Sequence, residues 1–236
     1  MLTRRELVQS ALAFGAWPAL REAAKAVPPL NDSGAPDDEP YWAGVRSQFE
    51  WEHETSNSVS VIRGVTTRQN RELAATQAGR FNSLEITKIL NKDWRQGLRK
   101  KVAEFIGAPV DNVAILRNTT EGVTTVLSNG PLKRGDEILT FSAEHGPFYD
   151  TLAQRAARDG VSIRQFHYPA PVDSPKAIVD TIERALTPQT RLVMIGHMVL
   201  FGQINPVRAI ADLVHARHAK LLVDGVLAIG QIPTDV

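Results

Sequence analysis

The chain has 236 residues, 43% apolar and 22% charged, a composition that fits a soluble globular protein and excludes a disordered or membrane-embedded body. Its 27 Lys and Arg against 26 Asp and Glu leave a formal charge of +1, too small an excess for a nucleic-acid binder. Cysteine is absent, which excludes disulfides, thiolate nucleophiles and cysteine-ligated metals.

Thr3-Arg4-Arg5-Glu6-Leu7-Val8 sets two arginines ahead of apolar positions, a moderately apolar stretch follows from Ala11 to Leu20, and Ala24-Lys25-Ala26 has the A-x-A form of a cleavage site. The order resembles a twin-arginine export signal. The stretch is shorter than the ~20 residues that a permanent span needs, so no membrane span is expected in the mature chain. On this reading residues 1–26 are a signal peptide and the protein works in a bacterial periplasm. The alternative is an ordinary amphipathic N-terminal helix on a cytoplasmic protein. Residues 27–40, rich in Pro, Asp, Ser and Gly, read as a flexible leader.

Residues 41–236 form the body. Trp42, Phe49 and Trp51 predict a short amphipathic helix over 41–54, and Asn57-Ser58-Val59-Ser60 a turn or loop. Apolar positions at helical intervals predict a long helix over 84–106, ended by Gly107. Val113-Ala114-Ile115-Leu116 predicts a strand, and Asn118-Thr119-Thr120-Glu121 caps a helix reaching about Leu127. The alternation continues with strands at 137–141, 162–167, 191–195 and 219–223, and helices at 148–158, 177–186 and 206–217. Strands and helices alternating at this spacing predict crossover units, hence an α/β fold with a mostly parallel sheet covered by helices on both faces. Ligands in such sheets sit beyond the carboxyl ends of the strands. No G-x-G-x-x-G follows a strand, which weakens a dinucleotide-binding reading.

Three segments fall at strand ends. Arg117-Asn118-Thr119-Thr120-Glu121-Gly122 combines helix N-terminal N–H groups with two hydroxyls, a site suited to a phosphate, although a plain helix cap explains the same residues. Glu144-His145 offers an imidazole able to lie flat on an aromatic ring, or simply to stand in solvent. Leu221-Leu222-Val223-Asp224-Gly225 delivers a carboxylate of the kind that holds a pyridinium nitrogen protonated, a feature shared with many nucleotide-binding folds.

In combination and order these segments resemble the class V aminotransferase family, and within it the isopenicillin N epimerase-like branch. The resemblance runs from about Asn57 to Val236 and includes Val102-Ala103-Glu104-Phe105-Ile106-Gly107, Pro131-Leu132-Lys133-Arg134-Gly135-Asp136-Glu137 and Leu186-Thr187-Pro188-Gln189-Thr190-Arg191-Leu192. It implies the three-layer large domain of fold type I enzymes and pyridoxal 5'-phosphate as cofactor. It further implies an amino-acid substrate and a homodimer. Thr119 and Thr120 would bind the cofactor phosphate, His145 would stack on its ring, and Asp224 would pair with the ring nitrogen. His197, in Gly196-His197-Met198, would line the pocket or serve structure.

The match departs from the family at several points. Leu227 stands where relatives place a histidine or glutamine near the phenolic oxygen, and Val199 and Leu200 replace an Asn common after the His-Val segment. The Schiff-base lysine expected by resemblance has no counterpart among Lys88, Lys92, Lys100, Lys101, Lys133, Lys176 and Lys220. The expectation is a large domain incomplete at its C-terminus. The functional expectation is a transaminase, epimerase or lyase inactive as it stands, with a non-catalytic binding or interaction module as the alternative.

Overall fold

The computed structural model describes residues 38–49, 66–80, 92–168, 172–199, 202–234 and 236. They gather into two compact units that divide between Ala114 and Ile115, the last two residues grouping with the first unit. The twin-arginine segment, the leader up to residue 37, the loop at 57–60 and the helical pattern at 84–91 lie outside the described residues.

In the first unit, α1 spans Glu39–Arg46. It begins earlier than the aromatic spacing suggests because Asp38 caps it, accepting the Tyr41 N–H at 3.0 Å, and Pro40 occupies its first turn. It also ends before Phe49, which forms an antiparallel bridge with Thr67. α2, Arg68–Arg80, was not legible from hydrophobic periodicity, since Leu73 is its one large apolar side chain. What favours it is a run of strong helix formers behind Thr67, whose hydroxyl accepts the Asn70 N–H at 3.2 Å. α3, Lys92–Ile106, ends at Gly107 with φ of 74°.

The strand expected at Val113–Leu116 does not form. Val113 N–H donates to the Val110 carbonyl at 3.2 Å, closing a single 3-10 turn, and the Val113 carbonyl accepts from Arg99 Nε at 2.8 Å. Its backbone polar groups are thus satisfied without a ladder, and Ile115 and Leu116 are exposed.

The second unit carries the alternating fold: α4 Thr119–Asn129, β1 Glu137–Phe141, α5 Gly146–Asp159, β2 Ser162–Phe166, α6 Pro175–Ala185, β3 Thr190–Gly196, α7 Val207–Ala216 and β4 Lys220–Asp224. The four strands are all parallel in the order β2-β1-β3-β4. β1 is buried along its whole length, as expected of a strand covered on both faces. On one face Ile138, Leu192 and Met194 pack with Val123 and Leu127 of α4 and Phe148 and Leu152 of α5. On the other, Leu139, Val193 and Ile195 pack with Ile178 and Ile182 of α6 and Ile210 and Val214 of α7. The result is the three-layer arrangement that the alternation predicts.

Local chemistry sets the ends of these elements. Asn118 caps α4 through its side chain, which accepts the Glu121 N–H at 2.9 Å, and Ser174 caps α6 toward Ala177 at 3.2 Å. Gly160 ends α5 at φ 69°, a conformation that side chains with a Cβ rarely adopt. The carboxyl end of α4 is held by Arg155 of α5. Its buried guanidinium donates to the carbonyls of Leu127, Ser128, Gly130 and Leu132 and lies 2.8 Å from the Asp159 carboxylate.

Candidate functional site

From β1 the chain passes through α5 to β2 on one side, then returns through α6 to β3 on the other. The connections therefore diverge between β1 and β3, and a crevice at the carboxyl end of such a switch point is where open α/β sheets bind ligands. The residues that line this end are those following Phe141, Gly196 and Asp224.

Asp224 closes β4 and is 8% exposed. One carboxylate oxygen accepts the Val226 N–H at 2.9 Å, and no salt bridge to it occurs among the described residues. Burial raises its pKa, against the opposing effects of the Val226 N–H and the nearby His145. In register with Asp224 across the ladder is Gly196, and the next residue, His197, donates its backbone N–H to the Asp224 carbonyl at 2.8 Å. The His197 ring is half-buried and held toward its neutral form by burial.

His145 is exposed at the N-cap of α5 and meets the Phe148 ring edge-on at 5.3 Å. Its neighbour Glu144, to which sequence reading gave no role, is the most perturbed carboxyl at this end. Glu144 accepts the Gly196 N–H at 2.9 Å and so spans the crevice between β1 and β3. Burial first, then the charge of Asp224, push its pKa up to about 7, against the lowering effect of the Gly196 hydrogen bond. Asn205 was also missed. It is fully buried and donates to the Gly196 carbonyl at 2.6 Å, so both backbone groups of Gly196 are held by side chains. A carboxyl placed immediately before a candidate histidine, and an Asn-Pro pair opening a helix, were the signals available for the two residues.

Thr119 and Thr120 are half-buried in the first turn of α4. The Asn118 side chain takes the Glu121 N–H, and the Glu121 carboxylate accepts the Arg117 N–H at 2.8 Å. The N–H groups of Thr119 and Thr120 remain without intrahelical acceptors, as the first turn of any helix requires, beside two hydroxyls. Val199 is 9% exposed and packs in the core beneath α6 and α7, so its apolar character is accounted for there. Leu227 is half-buried and brings no polar group. Lys220 opens β4 at its amino end, Lys133 precedes β1, and Lys176 is exposed and paired with Asp180 at 2.6 Å. No lysine described in this unit is thus free at the sheet's carboxyl end.

The fold and site define a fold type I large domain, the architecture of pyridoxal-phosphate enzymes. The model of the class V aminotransferase family matches residues 65–236, and the chain belongs to that family. It is 30% identical over 211 residues to a "Probable cysteine desulfurase" of Mycolicibacterium paratuberculosis, an alignment spanning 82% of this chain and 30% of the relative. It is 30% identical over 142 residues to isopenicillin N epimerase of Amycolatopsis lactamdurans, spanning 58% of this chain and 36% of that one. Among solved structures, a lysine-to-alanine variant of C-DES with glycine covalently linked to its pyridoxal phosphate superposes with a TM-score of 0.60 at 26% identity, over 73% of this chain and 47% of that one. The cysteine desulfurase CsdA of Escherichia coli, at 21% identity and a TM-score of 0.62, shares the fold over 81% of this chain and 50% of its own. The chain spans about half the length of these structures and about a third of the curated relatives.

Proposed function

We propose that this chain supplies the cofactor-holding half of a pyridoxal-phosphate enzyme acting on an amino acid, within the transaminase, epimerase and lyase chemistry of its family. The observation that carries this reading is Asp224: a buried carboxylate with no salt bridge, at the carboxyl end of the sheet and close to an exposed imidazole. Such a group calls for a cationic partner, and a protonated pyridine nitrogen is one. When bound, pyridoxal phosphate supplies an electron sink for charge developing at the α-carbon of an amino acid.

The chain's own residues then divide the work. Asp224 holds the proton on the ring nitrogen, and His145 lies over the ring face. Thr119 and Thr120, with the first-turn N–H groups of α4, bind the phosphate. His197 lines the pocket wall and ties β3 to β4. Leu227 leaves the phenolic oxygen without a side-chain donor from that position, which lowers affinity for the group. No described lysine of this unit is free at the sheet end, so these residues hold the cofactor without a covalent link. Leu227 also favours a second reading, a non-catalytic binding or interaction module that keeps the large-domain fold. Export through the twin-arginine route and assembly as a homodimer complete the proposal.

The test is a titration of the purified chain with pyridoxal phosphate followed by absorbance, with borohydride reduction and mass spectrometry of the product. The expected result is saturable binding, weakened about tenfold or more in Asp224→Asn, corresponding to about 1.4 kcal/mol, with no adduct concentrated on one lysine. Equal affinity in Asp224→Asn overturns the assignment of Asp224. A single reducible lysine adduct overturns the claim that binding is non-covalent.

A further inference from the structure

Glu144 is anchored at both its side chain and its backbone. Its carboxylate accepts the Gly196 N–H across the β1–β3 crevice at 2.9 Å. Its own N–H donates to the Tyr149 hydroxyl at 3.0 Å, and that hydroxyl donates to the Phe141 carbonyl at 2.7 Å, closing the turn between β1 and α5. His145 is the next residue, at the N-cap position of α5, and no side-chain capping bond holds it. The direction of the imidazole therefore follows from where Glu144 is pinned. Gly196 in turn is in register with Asp224, so one carboxyl links the turn carrying His145 to the strand pair carrying Asp224.

We propose that Glu144 is a positioning residue of the cofactor site: it fixes His145 over the ring and Asp224 against the ring nitrogen, and it does so best as a neutral carboxyl. This inference rests on the reading of the site given above. The groups facing Glu144 are Asp224 at the end of β4, Tyr149 of α5 and Tyr168 after β2, while His145, next in sequence, interacts with Asp224. An acceptor is all that the Gly196 bond requires. An ionised Glu144 adds a second negative charge beside Asp224 in a buried setting, which disfavours an anionic ligand. Its pKa of about 7 puts the change within the range of neutral buffers.

Wild type, Glu144→Gln and Glu144→Ala are compared in two ways. Pyridoxal phosphate affinity and the induced circular dichroism of the bound cofactor are followed below and above about pH 7. The amide resonance of Gly196 and the ring resonances of His145 are followed by NMR in the cofactor-free chain. The amide oxygen of glutamine can still accept from Gly196. Glu144→Gln is therefore expected to keep the wild-type affinity found below pH 7 and to lose the wild-type fall above it, beyond the ionisation of the ligand itself. Glu144→Ala is expected to bind about tenfold more weakly than wild type below pH 7, to show no fall above it beyond that of the ligand, and to shift the Gly196 and His145 resonances. Glu144→Gln binding as weakly as Glu144→Ala, or Glu144→Ala binding like wild type, overturns the proposal. If wild type binds no pyridoxal phosphate, the cofactor reading fails. The NMR comparison still decides on Glu144, because unmoved Gly196 and His145 resonances in Glu144→Ala refute its positioning role.

Discussion

Arg155→Met removes a buried cation while keeping much of the side chain's apolar bulk. Arg155 is 4% exposed and donates to four carbonyls where α4 runs into the turn before β1. A hydrogen bond to a charged group contributes about 1.5–3 kcal/mol, but three of the four carbonyls are partly exposed, and water would satisfy them in the variant. The buried Leu127 carbonyl loses a partner that water replaces poorly, whereas the Asp159 carboxylate keeps Arg158 and its access to water. Leaving that carbonyl unsatisfied costs about 1–3 kcal/mol. At about 4 °C per kcal/mol, the melting temperature should fall by about 4–12 °C in calorimetry or circular dichroism. Arg158→Met is the control, since that side chain is 57% exposed and reaches Ser128 and Asp159 from solvent; its melting temperature should stay near wild type. An Arg155→Met transition within about 4 °C of wild type would refute the claim that this guanidinium holds α4 to α5.

Glu144 also makes stability depend on pH. Its folded pKa of about 7 lies above the ordinary 4.5, so its contribution is fully present below about pH 4.5 and is lost as pH rises through about 7. The loss is on the order of 3 kcal/mol. Urea unfolding should show this decline in wild type and a flatter profile in Glu144→Gln; identical slopes in the two proteins would exclude it. Ile115→Thr should change the unfolding free energy by less than about 0.5 kcal/mol, because Ile115 is 47% exposed. A cost of several times that size would mean that the residue is buried, as a core strand at 113–116 would require.

The second unit was largely legible in the sequence because three of its four strands hold short apolar runs closed by polar turn chemistry, β2 (Ser162–Phe166) being the exception. Ile138-Leu139, Leu192-Val193-Met194-Ile195 and Leu221-Leu222-Val223 needed no tertiary information to be read as buried strands. Val113-Ala114-Ile115-Leu116 had the same appearance and failed, because Arg99, fourteen positions earlier, supplies its carbonyl partner. Such a contact leaves no periodic trace. α2 was hidden for the opposite reason, its stability coming from residues that favour helix without forming an apolar stripe. At the candidate site, Asp224 and His145 were read as candidates from their places after strand ends. Glu144 and Asn205 were not, because their roles depend on Gly196, 52 positions from one and 9 from the other.

All four strands of the second unit run the same way, and each helix there returns antiparallel to them. The amino ends of α4, α5, α6 and α7 consequently face the same side of the sheet, each carrying about half a positive charge from its aligned peptide dipoles. α5, α6 and α7 have no acidic residue in their first turns to cancel it. The backbone alone therefore adds a positive potential at this end of the unit, of the sign that favours the approach of an anionic ligand before any side chain touches it. Added salt should slow the ligand's arrival more than its departure.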